Sequence, residues 1–220
     1  MSPLTPAQIK DGMIKIQSNS RELIEDARVL FAANRFVRSF TLAHLASEEL
    51  AKIGMLFRAG IFTICGIPVD WKSLRKRLAN HKNKLRLESL WGISQLEQFR
   101  KMTGKDFANM IEKTCLHRNE MKNASIYVSI DGNQFVDPKE VITRENAERA
   151  IKLAERSFTE TGEVIESYAS TLSKPESVAQ EIYSDYHRLM QQSPQEMLEC
   201  MREMQHALGE LIRTKSDKMS

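Results

Sequence analysis

Residues 36–57, Phe-Val-Arg-Ser-Phe-Thr-Leu-Ala-His-Leu-Ala-Ser-Glu-Glu-Leu-Ala-Lys-Ile-Gly-Met-Leu-Phe, place a carboxylate where a helix wants an apolar side chain. At helical spacing Leu42, Leu45, Glu49, Ile53 and Leu56 form one stripe with Glu49 at its centre. Glu48 falls on another line with Thr41, His44, Lys52 and Met55. Its i,i+4 partner Lys52 stands in the favourable order, so Glu48 is expected at the surface. Glu49 is expected to be at least partly buried. A buried charge is costly unless paired, so a second element has to bring a cation to it.

That cation is expected from residues 107–121. Phe107, Ile111, Thr114, Arg118 and Met121 share one helical stripe, which turns Arg118 toward a mostly apolar face. Guanidinium matches carboxylate in bidentate geometry, so Glu49 and Arg118 are the natural pair. Such a pair is either a structural salt bridge or the shaping element of a polar cleft, and the residues alone leave both open.

The remaining pattern is helical with one interruption. Apolar residues at Ile9, Met13, Ile16, Leu23, Ala27 and Leu30 predict a helix over about 6–33, begun by Thr5 and Pro6. A second helix runs over about 35–64 and breaks at Gly66-Ile-Pro-Val-Asp. The segment 71–100 reads as helical, with an interruption near Asn80-His81, and the Arg118 helix follows Gly104 and ends near Asn123. Ile126-Tyr-Val-Ser-Ile-Asp-Gly-Asn-Gln-Phe-Val is β-prone on both sides of Asp-Gly, which predicts a small hairpin near 126–136. A long helix runs from Thr143 to about Leu172. The expected architecture is an all-α bundle over 1–173 with that hairpin inserted. A boundary at Lys174-Pro175 sets off an appended C-terminal helical pair, 174–220, whose Met-bearing polar helices suit a contact surface.

Composition narrows the function classes. The 41% hydrophobic and 28% charged residues of this 220-residue chain are ordinary for a water-soluble globular protein. No apolar run is long enough to cross a bilayer, and the start lacks a basic n-region and an apolar h-region. Three widely spaced cysteines fit a reducing cytoplasm and neither a disulfide framework nor a zinc site. Glu203-Met-Gln-His206 has di-iron spacing but occurs once where such a site needs it twice, so neither metal nor other cofactor is expected. Gly-rich phosphate loops, nucleophile elbows and Cys-x-x-Cys pairs are absent.

The net charge of +3 is unevenly spread. Lys72, Arg75, Lys76, Arg77, Lys82, Lys84 and Arg86 lie within sixteen residues that hold no acid, leaving the rest of the chain at −4. Solvated faces usually mix signs, so this run points to an anionic partner, nucleic acid first and an acidic protein second. Only Trp71 and Trp91 flank it, which favours phosphate contact over base stacking.

Three elements in order carry a family resemblance: Ala43-His-Leu-Ala-Ser-Glu-Glu-Leu-Ala-Lys52, then His81-Lys-Asn-Lys84, then Arg118 leading to Ile126-Tyr-Val128 and Pro138. Together they resemble the AbiV-type abortive-infection proteins of the HEPN superfamily, over about residues 15–170. The resemblance implies a helical phage-defence protein that arrests growth or translation, a face completed by homodimerisation, and a cleft to which Glu48, Lys52 and Tyr127 belong. Many HEPN domains resemble metal-independent ribonucleases, in which Arg is followed after four to six residues by His. There the arginine stabilises phosphate charge and the histidine moves the proton of the 2′-hydroxyl.

This chain departs from that pattern. After Arg118 the allowed places hold Asn123, Ala124 and Ser125. The spacing recurs at Arg38–His44 and Arg75–His81, and His81 is the better candidate because it lies in the basic run; His117 beside Arg118 has no evident role. Two functions follow as expectations. One is an RNA-directed protein that cleaves or occludes RNA, with Arg118, Glu49 and His81 at the site. The other is a non-enzymatic protein that binds a phage or host protein and blocks translation through it.

Overall fold

In the computed structural model, which describes residues 3–80, 84 and 103–173 with isolated positions 180, 181 and 184, the chain is an all-α bundle with one small hairpin. Helix α1 spans Pro6–Ala32. Thr5 caps it by accepting from the Gln8 N–H (3.2 Å), while the Gln8 side chain accepts from the Thr5 N–H (2.9 Å). Helix α2 spans Phe36–Ile64 and α3 spans Trp71–Ala79, where Asp70 accepts from the Ser73 N–H (2.9 Å). Helix α4 spans Gly104–Ile126, capped by Thr103 with Asp106, and runs one turn beyond the end expected near Asn123.

Strands β1 (Ser129–Asp131) and β2 (Gln134–Val136) pair antiparallel, with Ile130 opposite Phe135. The two-residue loop is Gly132-Asn133, with positive φ at Gly132 (57°), so the turn is centred one residue past the expected Asp-Gly. The four-residue α5 (Pro138–Val141) leads to α6 (Arg144–Leu172), capped by Thr143 with Asn146.

Helices α1, α2 and α6 pack together and α4 packs on α2. The main core joins Ile9 and Met13 of α1, Leu50 and Ile53 of α2, Leu74 of α3, and Ile165 and Tyr168 of α6. Farther along, Ala27, Ala43 and Ile151 meet, then Phe40, Ile142 and Ala147.

The buried line of α2 differs from the expected one. Ala43, Ala46, Ser47 and Glu48 are buried, while Leu42, Leu45 and Glu49 are half-exposed. Small side chains let neighbouring helices approach closely, and the larger leucines are left at the flanks. The expected C-terminal pair with its boundary at 174, and most of 81–102, lie outside the described residues.

Candidate functional site: a buried ionic centre beside an exposed basic face

One face of α2 carries Thr41, His44 and Glu48 at successive turns, and all three are buried against α4. Ser125 of α4 donates to the Lys122 carbonyl (2.7 Å) and sits 3.0 Å from Thr41 Oγ1, which lies 2.9 Å from the Val37 carbonyl. This hydroxyl pair fixes the rotation of α4 on α2 and so sets where Lys122 points.

Lys122 Nζ lies 3.4 Å from Glu48 Oε1, and Lys84 Nζ lies 3.2 Å from Glu48 Oε2. Glu48 is 2% exposed, Lys84 5% and Lys122 7%, so one carboxylate inside the protein faces two ammonium groups from separate segments. Stripping water from three charges is expensive, and only close mutual pairing makes it tolerable.

His44 completes the cluster. Its ring stacks on Phe40 (5.9 Å between centroids), and Nε2 lies 3.3 Å from Glu48 Oε1. That approach lacks hydrogen-bond alignment, and Nε2 is buried with no hydrogen-bond partner. A buried donor or acceptor left in this state costs about 1–3 kcal/mol. The arrangement binds the chain together; all four charged or ionisable groups are shielded from solvent.

The structure corrects the placement of Glu48 and the partner of Glu49, while Glu49 is partly buried as expected. Glu48, expected at the surface, is the buried one. Glu49 keeps 25% of its side chain exposed and pairs with Lys52 on its own helix, where Arg118 was expected. The inward cation of α4 is Lys122, one turn past the half-buried Arg118. The expected Glu49–Arg118 pair is not formed; the buried pair between α2 and α4 is Glu48 with Lys122.

The remaining candidates separate from this centre. Lys84, expected to face phosphate, is buried against Glu48. Lys72, Arg75 and Lys76 are exposed on α3, while Arg77 is half-buried with Nε lacking a hydrogen-bond partner. His81, Lys82 and Arg86 lie outside the described residues. Tyr127 is 64% exposed at the end of α4 and takes no part in the centre. Arg38 is exposed while His44 is buried, so that spacing match builds no shared site; His117 is exposed.

Sequence reasoning missed Lys122 and Ser125 altogether and placed His44 outside the site. The signal available was the Thr41–His44–Glu48 line itself, whose polar residues meet the polar end of α4. Among the described residues no group of three or more His, Cys, Asp or Glu could hold a metal ion. No described helix is long and apolar enough to cross a membrane.

A mostly helical bundle with one small antiparallel hairpin is consistent with a HEPN-like fold. The chain belongs to the AbiV-type HEPN family, whose model it matches over residues 8–159. No curated protein and no solved structure matches it. Family membership points to abortive-infection phage defence.

Proposed function

We propose that this protein arrests growth or translation during phage infection by occupying RNA through the exposed cations of α3, and that it does so without cutting the RNA. The observation that carries the reading is the burial of Glu48, Lys84 and Lys122. These groups pair with one another inside the bundle and are withheld from a substrate. Lys72, Arg75 and Lys76 remain at the surface, on a helix whose described residues include no acid. Phosphate neutralisation by such a face is independent of sequence and sensitive to salt.

The test is incubation of the purified protein with total RNA in EDTA. Intact RNA that is retained by the protein supports occlusion. Fragmented RNA supports a metal-independent ribonuclease and restores His81 as the proton-transfer candidate.

A second reading, capture of a phage or host protein, is favoured by one observation. Val128, Ile130 and Phe135 of the hairpin region are 59%, 68% and 76% exposed, and a two-stranded hairpin is marginally stable unless covered. Protein that retains no RNA at low salt favours this reading.

A further inference from the structure

We infer that the outer edge of β1 is a docking strand for an extended peptide segment of another protein, one that alternates apolar with basic side chains. The docking edge stands on geometry; its part in growth arrest rests on the protein-capture reading and is independent of RNA occlusion by α3.

The two-residue turn Gly132-Asn133 makes Asp131–Gln134 the closing, hydrogen-bonded pair of the hairpin. Alternation then makes Ile130–Phe135 a non-hydrogen-bonded pair, so the N–H and C=O of Ile130 point away from β2, along the outer edge of β1. Among the described residues no third strand pairs there. The outer edge of β2 is closed at its end. Asp137 N–H donates to Glu140 Oε1 (3.1 Å) in the capping box of α5, and Pro138 has no N–H to offer. The edge open to a further strand is therefore that of β1.

The two faces of β1 differ in character. Ile130 shares one face with Phe135 across the ladder and with Val128 two residues earlier, and all three are exposed. Ser129 and Asp131 face the other way and are exposed too. A strand added to β1 continues both faces, with apolar side chains beside Ile130 and alternate ones beside Asp131. Residues 123–138 include Asp131 and Asp137 and no Lys or Arg, so the alternate set is basic. The same charge disfavours an acidic segment or RNA on this edge.

Size argues against a second copy as the occupant. Three residues of strand extend about 10 Å. A stable protein–protein interface buries about 800 Å² on each partner, far more than this edge presents. Pairing two copies would also set two cation-free segments against each other. A short segment held by backbone bonds fits both constraints.

The experiment uses the full chain and short end-blocked synthetic peptides. One alternates valine with lysine, one alternates valine with glutamate, and one is the lysine peptide with its central valine replaced by proline. Affinity is read by fluorescence anisotropy, and amide exchange at Ile130 is read by NMR beside α1 and α6. Ile130→Pro removes the outward N–H and no bond of the β1–β2 ladder. Asp131→Asn keeps the backbone intact should Ile130→Pro disturb the hairpin. The expected result is binding of the lysine peptide, with exchange at Ile130 slowed about tenfold and α1 and α6 unchanged. The glutamate and proline peptides should bind about tenfold more weakly. Ile130→Pro should weaken the lysine peptide about tenfold, and Asp131→Asn should narrow the preference for lysine over glutamate.

The inference is overturned by a lysine peptide that fails to bind, that binds Ile130→Pro as well as the parent, or that binds no better than the glutamate peptide. Protection of Ile130 that rises with protein concentration in the absence of peptide overturns it in favour of a second copy. Growth arrest during phage infection separates the two levels. Peptide held at β1 by a protein whose Ile130→Pro variant still arrests growth upholds the docking edge and overturns protein capture as the route to arrest.

Discussion

At the scale of single residues, the two adjacent glutamates of α2 have opposite energetic weights. Glu48 holds two buried ammonium groups, so Glu48→Ala strands both and should lower stability by roughly 3–5 kcal/mol in chemical denaturation. Glu49 shares a partly exposed i,i+3 pair with Lys52, and Glu49→Ala should cost no more than about 1 kcal/mol. Equal losses would contradict the structure. Tyr168 offers a second test, because burial pushes its hydroxyl from the ordinary 10.0 up to about 12. The folded state thus holds this proton more tightly than the unfolded chain does. The associated stability is complete below pH 10 and is lost as pH rises toward 12. Tyr168→Phe removes that alkaline loss. It also removes the bond that Tyr168 donates to the Pro6 carbonyl (3.3 Å), at a cost of about 1 kcal/mol near neutrality. Denaturation at pH 8 and pH 11 should show the parent losing stability between them through this group, and the variant not. The sequence pattern turns Glu49 inward and Glu48 outward, whereas Glu48 is the fully buried acid and Glu49 only partly buried. Leu42 and Leu45 were read as core markers, whereas this helix buries Ala43, Ala46 and Ser47 and leaves the leucines half-exposed.

At the scale of elements, the packing of α2 on α6 depends on a missing side chain. A β-carbon on Gly60 would fall inside the ring and hydroxyl of Tyr168, a fully buried side chain that also meets Phe57 edge-on (6.0 Å). Gly60→Ala must push that ring aside and should cost about 1–3 kcal/mol, with helix content retained. Thermal melting followed by circular dichroism measures the loss, and an unchanged midpoint would mean the helices are not this close. Gly60 was unremarked in the sequence because close approach belongs to the pair of helices and leaves no trace in either alone. Helix starts were legible where local chemistry decides them, as at Thr5-Pro6 and Thr143 with Asn146. The hairpin was legible for the same reason. Its turn is centred on Gly132-Asn133 because the pairing of Ile130 with Phe135 decides the register that Asp-Gly only suggests.

At the scale of the whole molecule, the family elements divide between two tasks. Glu48, Lys84 and Lys122 form an ionic centre that ties segments together, while Lys72, Arg75 and Lys76 of the basic run are exposed. That division could not be read from the sequence, since Lys84 and Lys76 are equally basic there, and only the fold turns one inward. On the proposed reading the bundle is the scaffold and α3 the surface that meets RNA. The most direct test is the salt dependence of RNA binding by the parent and by a variant carrying Lys72→Gln, Arg75→Gln and Lys76→Gln. The account predicts weaker binding, an unchanged melting temperature, and a log–log salt slope shallower by about 0.7 for each phosphate of single-stranded RNA that the variant no longer neutralises. Parent protein that fails to bind at low salt would contradict it, as would a slope that the three substitutions leave unaltered.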